Sequence, residues 1–347
     1  MSVLFLIGVC SLSFTWGIII AFPSVLNPAI LAPDATIKAT PDQASWIAAA
    51  HGIAGLVGFT VMSPVFEFFG RKMANIVVNL FCVVGCLIYY VADDVHSLLF
   101  ARLTQGLSSG GLFISIMALS ECSAPKRRGY FMVLNKAALG VGSLACHSLG
   151  FFLDWRQIIV FVNLIPASIS IIIFIICAES PSYYAMREQF DKCTTAFKWY
   201  RGDSQEANKE LKELIAAQAK NIEEKRKETT LATISLDSCG RYFILAYMTQ
   251  IIVEITNSTS VGMYISVAAD CILISALLIS CFTVKIFKRR TLLFNLGFCS
   301  VVLMYLVSLS ILLCRHPIMT KGCRVIFIWN SVHNLLYFGH EADSNDD

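Results

Sequence analysis

The chain has little charge for its size. Only 15% of its 347 residues are Asp, Glu, Lys or Arg, whereas 56% are hydrophobic, and the mean hydropathy is +0.67. Soluble domains carry nearer a quarter of charged residues. The composition therefore excludes a set of ordinary soluble domains and indicates a bundle of membrane helices.

Signatures of chemistry are also missing. The thirteen cysteines include no Cys-x-x-Cys pair with a second pair at zinc spacing. The sequence has no phosphate-binding loop and no His-Glu-x-x-His. His51, His147 and His333 each stand alone in an apolar run, so we expect packed side chains there rather than ligand sites.

Long apolar stretches set the organisation of the chain. Ten of them approach the ~20 residues that cross a bilayer. They are residues 3–31, 44–66, 74–92, 98–120, 131–153, 158–177, 241–263, 266–284, 291–314 and 324–339. The connections are short except for 178–239, which is charged and rich in helix-forming residues from 204 to 228. The first stretch lacks a preceding basic residue and a clear cleavage pattern, so we expect a retained helix rather than a signal peptide.

Lysine and arginine predict the orientation. They fill the connections after the second, fourth, sixth and eighth stretches, and they are sparse in the connections between these. We therefore expect the N-terminus and 178–239 to be cytoplasmic. The connection 315–324 carries basic residues on the predicted outer side and departs from this trend.

Two short basic signatures lie between apolar runs in the two halves. The first is Glu-Phe-Phe-Gly-Arg-Lys-Met at 67–73, and the second is Lys-Ile-Phe-Lys-Arg-Arg-Thr at 285–291. A basic connection that recurs at corresponding places indicates an internally duplicated transporter.

Six motifs occur in one order along the chain. They are Ser45-Trp46 with Glu67-x-x-Gly70-Arg71-Lys72; Ala101-Arg102-x-x-x-Gly106 with Gly110-Gly111; Ser120-Glu121; Arg128-Gly129; Leu153-Asp154-Trp155-Arg156; and Glu179-Ser180-Pro181. Together they resemble the sugar porter family of the major facilitator superfamily, most closely the insect facilitated trehalose or glucose transporters. The resemblance covers about residues 40–215 well and the remainder poorly.

The resemblance implies an all-α polytopic bundle of about ten transmembrane helices. Its parts would be a six-helix half at 1–177, a cytoplasmic linker with amphipathic helices at 178–239 and an incomplete second half at 240–347. The implied activity is movement of a neutral sugar, glucose or trehalose, by alternating access in a multi-pass protein of the plasma membrane. The implied partners are the sugar and the lipid bilayer, with no nucleic acid, no cofactor and no catalysis.

Charged residues near span ends are the candidates for a gate, because ion pairs that form in only one state can bias a two-state element. The gating candidates are Glu67, Arg71, Arg102, Glu121, Arg128, Arg289, Arg290 and Glu341. We expect Glu67, Arg71 and Lys72 to meet Arg102, Glu121 and Arg128. Positive-inside anchoring alone is the simpler alternative.

The substrate-lining candidates are Trp16, Asn135, Lys136, Gln250 and Asn257. Lys136 falls where the family places a glutamine, and either it reaches the membrane surface or it recognises an anion. Glu254 lies near the centre of its span and is either a proton-coupling site, a partner of Lys136 or a sign of a shifted span. Proton coupling therefore stays open.

The second half departs from the family pattern. Lys285 and Lys288 replace an acidic residue and a glycine, and Leu336 replaces a tryptophan. Two family helices are expected to be missing after Glu341. A non-transporting or truncated relative that acts as a sensor or regulatory protein is therefore the main alternative, and a receptor or channel of about seven helices is a second one.

Overall fold

The computed structural model describes residues 1–221, 263–272, 274 and 275, and all regular elements in these ranges are helical. The helices are α1 (Ser2–Ala21), α2 (Pro23–Leu31), α3 (Pro41–Val91), α4 (Val95–Leu107), α5 (Gly111–Cys122), α6 (Pro125–Leu149), α7 (Trp155–Gln157), α8 (Ile165–Ile176), α9 (Pro181–Met186), α10 (Phe190–Arg201), α11 (Gln205–Asn221) and α12 (Met263–Ile272). A 3₁₀ turn, Ser108–Gly110, joins α4 to α5, and a π-helical segment, Ile158–Leu164, joins α7 to α8.

Helix α3 is two helices that reverse at Gly70. Its 51 residues would extend about 76 Å if they were straight. Instead Val57 and Val77 line the same apolar cavity, so the two arms run side by side. Gly70 has φ +92° and ψ 177°, a conformation open essentially to glycine alone. A Cβ at this position would also lie 2.3 Å from Oε2 of Glu179.

Five helical runs in the described ranges are long and apolar enough to cross a membrane. Because α3 counts twice, they supply the six predicted spans of the first half. The predicted 131–153 begins earlier, at Pro125, because proline is well suited to the first turn of a helix. The predictions for 241–263, 291–314 and 324–339 lie outside the described residues, apart from Met263, and α12 falls at the start of the predicted 266–284.

Helix α1 is buried over most of its length and packs into both apolar clusters of the described bundle. Phe5, Leu12 and Trp16 belong to one apolar cluster, and Ile18 and Phe22 belong to a second. A helix that is apolar all round requires such enclosure. Hence α1 connects the two clusters along the length of the bundle.

Helices α1 and α6 approach until their backbones touch. A Cβ on Gly17 would lie 2.0 Å from the carbonyl oxygen of Leu139, and one on Gly142 would lie 2.1 Å from that of Phe14. The two glycines therefore face each other's helices reciprocally, which is how small residues allow close helix packing in membranes.

The two ends of the bundle differ in chemistry. We call the end that holds Gly70, Cys122 and Pro125 the basic end, and the end that holds Thr40, Asp94 and Asp154 the capped end. Capping boxes begin the helices at the capped end: Thr40 with Gln43, Asp94 with Ser97, and Asp154 with Gln157. The hydrogen bonds from Ser97 lower the pKa of Asp94.

Helices α9 to α11 pack together at the basic end. Cys193, Phe197 and Leu211 are buried in their small apolar core. The helix predicted from residue 204 begins at Gln205, and Lys209 lies 3.9 Å from the carboxylate of Glu213 one turn later. The described part of the chain after Cys177 is therefore helical as far as Asn221.

Candidate gate and substrate path

A bidentate ion pair occupies the basic end. Arg71 donates from Nε to Oε2 of Glu121 at 2.9 Å and from Nη2 to Oε1 at 2.8 Å. The side chains are 5% and 16% exposed, and the guanidinium carbon of Arg71 lies 4.2 Å from the ring centre of Phe66. Two parallel charge-assisted bonds fix both the distance and the angle between α3 and α5.

Glu179 caps the start of the second arm of α3, although it lies 108 residues after Arg71 in the chain. Its carboxylate accepts from the backbone amides of Arg71 at 2.9 Å and Lys72 at 3.1 Å, and from Ser180 at 2.7 Å. The first amides of a helix lack partners within that helix, so this carboxylate acts as their cap. Burial raises the pKa of Glu179, and the hydrogen bonds from these amides act in the opposite direction.

Ser180 joins the two carboxylates. Its hydroxyl donates to Oε2 of Glu121 at 2.5 Å, while its amide donates to Glu179. We call Arg71, Glu121, Glu179 and Ser180 the Arg71 cluster. It ties the turn of α3, the end of α5 and the start of the linker into one network.

Linker side chains add a second layer to this network. Tyr183 donates from its hydroxyl to the Phe68 carbonyl oxygen at 2.9 Å, and Arg187 donates to the same oxygen at 2.8 Å. These bonds satisfy a carbonyl at the end of the first arm of α3, where no continuing helix is available to do so.

Arg201 fastens α10 to the end of α5. It donates to the carbonyl oxygen of Ser123 at 2.5 Å and to that of Glu121 at 3.4 Å, and it forms an ion pair with Glu210. Its guanidinium lies 4.8 Å from the ring centre of Phe197. Burial lowers the pKa of Arg201, because a buried cation lacks part of its hydration.

Three residues of this network, Glu179, Ser180 and Arg201, were not among the predicted gating residues. Glu179 and Ser180 belong to the motif that opens the linker, which was the available signal. Nothing in the sequence distinguishes Arg201 from the charged residues around it, because the two carbonyl groups that it binds on α5 and just beyond lie about eighty residues away.

The predicted meeting of Arg102 with Arg71 and Glu121 does not occur. Arg102 is 2% exposed and donates to the carbonyl oxygen of Ile19 at 2.7 Å, beside the apolar cluster of Phe22. It lies seven residues into α4, about 10 Å from the capped end, whereas Glu121 lies a further 19 residues, or about 29 Å, along the same span. The two residues therefore belong to opposite ends of the bundle.

Two further gating candidates, Glu67 and Arg128, are exposed and make no ion pair with the described residues of the Arg71 cluster. Glu67 is exposed, and its backbone carbonyl accepts from Arg187 at 3.3 Å. Arg128 is exposed in the first turn of α6. Arg289, Arg290 and Glu341 lie outside the described residues.

A buried polar strip runs between α1, α3 and α6. Ser13 donates from its hydroxyl to Oδ1 of Asn135 at 2.6 Å, and Asn135 is 1% exposed. Trp16, one turn along α1, is 1% exposed and meets the ring of His51 edge to face at 5.8 Å. Within the described ranges, the indole nitrogen of Trp16 and both ring nitrogens of His51 are buried without a hydrogen-bond partner.

The structure therefore brings Trp16 and Asn135 to one face of α1. Lys136 follows Asn135 on α6 and is partly buried. Gln250 and Asn257 lie outside the described residues, as does Glu254.

His147 is packed, as expected, and it also has an acidic partner. Its Nδ1 lies 2.5 Å from Oδ2 of Asp270 on α12, and Ser143 donates to Oδ1 of the same carboxylate at 3.0 Å. The sequence could not indicate this pair, because its members are more than 120 residues apart. His51 is packed against Trp16, as expected.

A Gly-x-Ser-x-Gly run at 106–110 coincides with the turn between α4 and α5. Ser108 is fully buried, donates to the carbonyl oxygen of Gln105 at 2.5 Å and accepts from the thiol of Cys82 at 3.3 Å. In hydrolases, such a serine is exposed above a sheet and is activated by a base. Ser108 here is a packing residue of the span.

Comparison with known proteins decides the family. The family described as "Sugar (and other) transporter" matches residues 3–333 of this chain. The chain belongs to this family. Two curated relatives are a facilitated trehalose transporter homolog of Drosophila simulans and a facilitated trehalose transporter of Culex quinquefasciatus, each 29% identical. The matches cover 65% and 52% of this chain and 46% and 35% of the relatives, so the chain spans less than half the length of either.

Solved structures show the fold. The xylose transporter XylE from E. coli, in a partially occluded inward-open conformation, superposes with a TM-score of 0.71 at 14% identity. The superposition covers 97% of this chain and 83% of XylE. A second structure, with a TM-score of 0.71, describes XylE as a proton:xylose symporter of the major facilitator superfamily. The chain is thus a multi-pass membrane protein with the major facilitator fold.

Proposed function

We propose that the chain moves a neutral sugar, glucose or trehalose, across a membrane by alternating access. The observation that carries this proposal is the buried polar strip of Trp16, His51 and Asn135. Buried polar groups in proteins normally have hydrogen-bond partners. A sugar offers both donors and acceptors and so suits an indole N–H beside two imidazole nitrogens. The names of the curated relatives support trehalose, and a structure of XylE with a bromodeoxyglucose bound supports a hexose.

The proposed substrate site comprises Trp16, Asn135 and Lys136 in the first half and Gln250 and Asn257 in the second. The first half would be 1–177, the linker 178–239 and the second half 240–347. Sugar would enter between the halves, and no covalent chemistry is needed. This transport role, rather than an enzymatic one, is our proposal for the whole protein.

The basic end is proposed to be cytoplasmic, and the membrane to be the plasma membrane. The positive-inside rule supports this orientation, since Arg71, Lys72 and the 126–128 run lie at that end. The Arg71 cluster would then form the inner gate, with Glu67, Arg128, Arg289, Arg290 and Glu341 as further charges that engage in one state. Arg102 would act at the capped end instead.

Uptake by the full chain in liposomes tests the proposal. Labelled trehalose and glucose should enter faster than in empty liposomes. Trp16→Phe, which removes only the indole N–H donor and the second ring, should raise the KM. Trp155→Phe is the matched control, because Trp155 is similarly buried but belongs to the second apolar cluster, at the capped end.

Absence of uptake by a folded sample would contradict the transporter proposal and favour a non-transporting relative. Equal effects of Trp16→Phe and Trp155→Phe on KM would be compatible with the transport proposal but would show that Trp16 does not bind the sugar.

A further inference from the structure

A proline interrupts the first span of the bundle. Helices α1 and α2 form one apolar run, Ser2–Leu31, and Pro23 lies at the break between them. Proline has no backbone N–H, and its ring crowds the carbonyl group four residues earlier in a helix. Pro23 therefore leaves the carbonyl oxygen of Ile19 without its helical donor, although Ile19 is fully buried. An unpaired carbonyl inside a membrane protein is strongly unfavourable.

The backbone bonds change their pattern at this break. The last regular bond of α1 runs from the amide of Phe22 to the carbonyl oxygen of Ile18, at 2.8 Å. The amide of Val25 then donates to Phe22 at 3.0 Å, one residue short of the helical pattern. The Ala21 carbonyl, which that pattern would pair with Val25, accepts from the hydroxyl of Ser24 at 2.6 Å. A side chain thus restores one of the bonds that the break removes, as is usual at prolines in membrane helices.

The Ile19 carbonyl obtains its donor from another helix. Nη1 of Arg102 on α4 lies 2.7 Å from this oxygen, and Arg102 is 2% exposed. A bond of this length from a guanidinium is charge-assisted and strong. The guanidinium therefore takes over the role of the amide that position 23 lacks. Because this donor belongs to α4, the geometry of the break in α1 depends on α4.

The same face of α4 contacts the buried polar strip. Gly106 lies one turn after Arg102, and a Cβ there would come 2.7 Å from the carbonyl oxygen of His51. The ring of His51 meets that of Trp16 at 5.8 Å, and Trp16 lies three residues before Ile19, on the same side of α1. These contacts close a circuit through α1, α3 and α4. A change at the Ile19 carbonyl would therefore shift Trp16.

We propose that Arg102 is a positioning residue for the sugar site. Its guanidinium replaces the amide that Pro23 lacks, holds the break of α1 in one geometry and so keeps Trp16 in place. Arg102 acts on the sugar only through α1. This inference rests on the proposed function, because it gives Arg102 a part in sugar binding.

A double-mutant cycle tests the replacement of the amide. Arg102→Met keeps a long, unbranched side chain but removes the donor. Pro23→Ala provides an amide at position 23, so the Ile19 carbonyl no longer needs Arg102. Arg102 also takes part in other interactions, which the single substitution disturbs and which the cycle separates from the shared contact. The matched control is Pro28→Ala, which removes the other proline of α2 but provides an amide beyond the reach of Ile19.

The measurement is equilibrium binding of labelled trehalose and of labelled glucose to the full chain in nanodiscs. Arg102→Met should weaken binding by about fivefold or more, a coupling typical of residues in direct contact. Added to Pro23→Ala, the same substitution should change the affinity by less than about twofold, because nothing remains for the cycle to couple. Added to Pro28→Ala, it should keep its full effect. The midpoints of thermal unfolding should show the same pattern.

Equal losses of affinity in the two proline backgrounds would show that Arg102 does not replace the amide and would overturn the proposal. Coupling in the unfolding midpoints without a change in sugar affinity would overturn the positioning role, because Arg102 would then be purely structural. If the parent binds neither sugar, the proposed function is contradicted, and the coupling in the midpoints still decides whether the amide is replaced.

Folded yield takes the place of affinity if Arg102→Met alone does not fold. Pro23→Ala should then restore the yield on size-exclusion chromatography, and Pro28→Ala should not. Restoration by both substitutions, or by neither, would overturn the proposal.

Discussion

Loss of charge at Glu121 should open the basic end of the bundle. Glu121→Gln keeps the shape of the side chain but removes the charge that two short bonds from Arg71 require. Hydrogen bonds to charged groups contribute about 1.5–3 kcal/mol, and the 16% exposure of Glu121 places the pair below the ~3–5 kcal/mol of a fully buried one. If the pair exists in one state only, a loss of this size changes the ratio of states by about tenfold to a hundredfold.

Cys122 provides the assay for this change. It is 2% exposed, follows Glu121 directly and lies beneath Tyr200 of the linker. Its modification by a charged maleimide should rise by the same factor in Glu121→Gln, while Cys82 stays protected. The control is Asp203→Asn, which breaks an exposed pair with Lys198 at the same end and should have little effect.

Thermal unfolding distinguishes a gate from a purely structural contact. If Glu121→Gln lowers the midpoint of unfolding but leaves the modification of Cys122 unchanged, the pair is equally present in both states. The gating role would then be refuted, although the contact itself would remain.

Three further changes test the same region. Gly70 and Gly202 both have positive φ, so an alanine at either position costs about 1–3 kcal/mol of strain. Only a Cβ at position 70 also collides with Glu179, so Gly70→Ala should reduce the folded yield far more than Gly202→Ala. Equal yields on size-exclusion chromatography would contradict this. Burial raises the pKa of Glu179, so its contribution to stability is fully present below its unfolded pKa and is lost as pH rises through its folded pKa. Glu179→Gln should therefore gain stability relative to the parent as pH rises. A gain by the parent in thermal melts would show that the amide hydrogen bonds dominate instead. Arg201→Ala should lower the unfolding midpoint more than Arg128→Ala, since the first guanidinium is buried against α5 and the second is exposed; the reverse order would remove Arg201 from the network.

The spans of the first half could be predicted because a bilayer imposes a length and an apolar composition that are visible in the sequence. The contact of Arg71 with Glu121 could be anticipated because both residues lie at the same end of consecutive spans. Arg102 was misplaced because apolar length defines a span but does not show how far a charge lies along it. The carbonyl that it binds on α1 lacks an amide because of Pro23, but the sequence does not show which side chain supplies the donor.

Two other contacts depend on tertiary structure alone. Glu179 caps a helix that starts at the Gly70 reversal, and only the reversal leaves those amides without partners. Asp270 lies near the start of the predicted stretch 266–284, and only the packing of α12 on α6 brings it to His147. Distance along the chain hides both contacts from any local pattern.

The reciprocal glycine contact between α1 and α6 has a mechanical consequence. Because each backbone rests on the other at Gly17 and Gly142, neither helix can slide or rotate past its neighbour without a steric clash. In the proposed alternating access, the two helices would therefore move as one rigid body, and Trp16 and Asn135 would keep their mutual geometry. A sugar bound by these residues would keep the same contacts with α1 and α6. Its contacts would change only as the opposite side of the site approaches or withdraws.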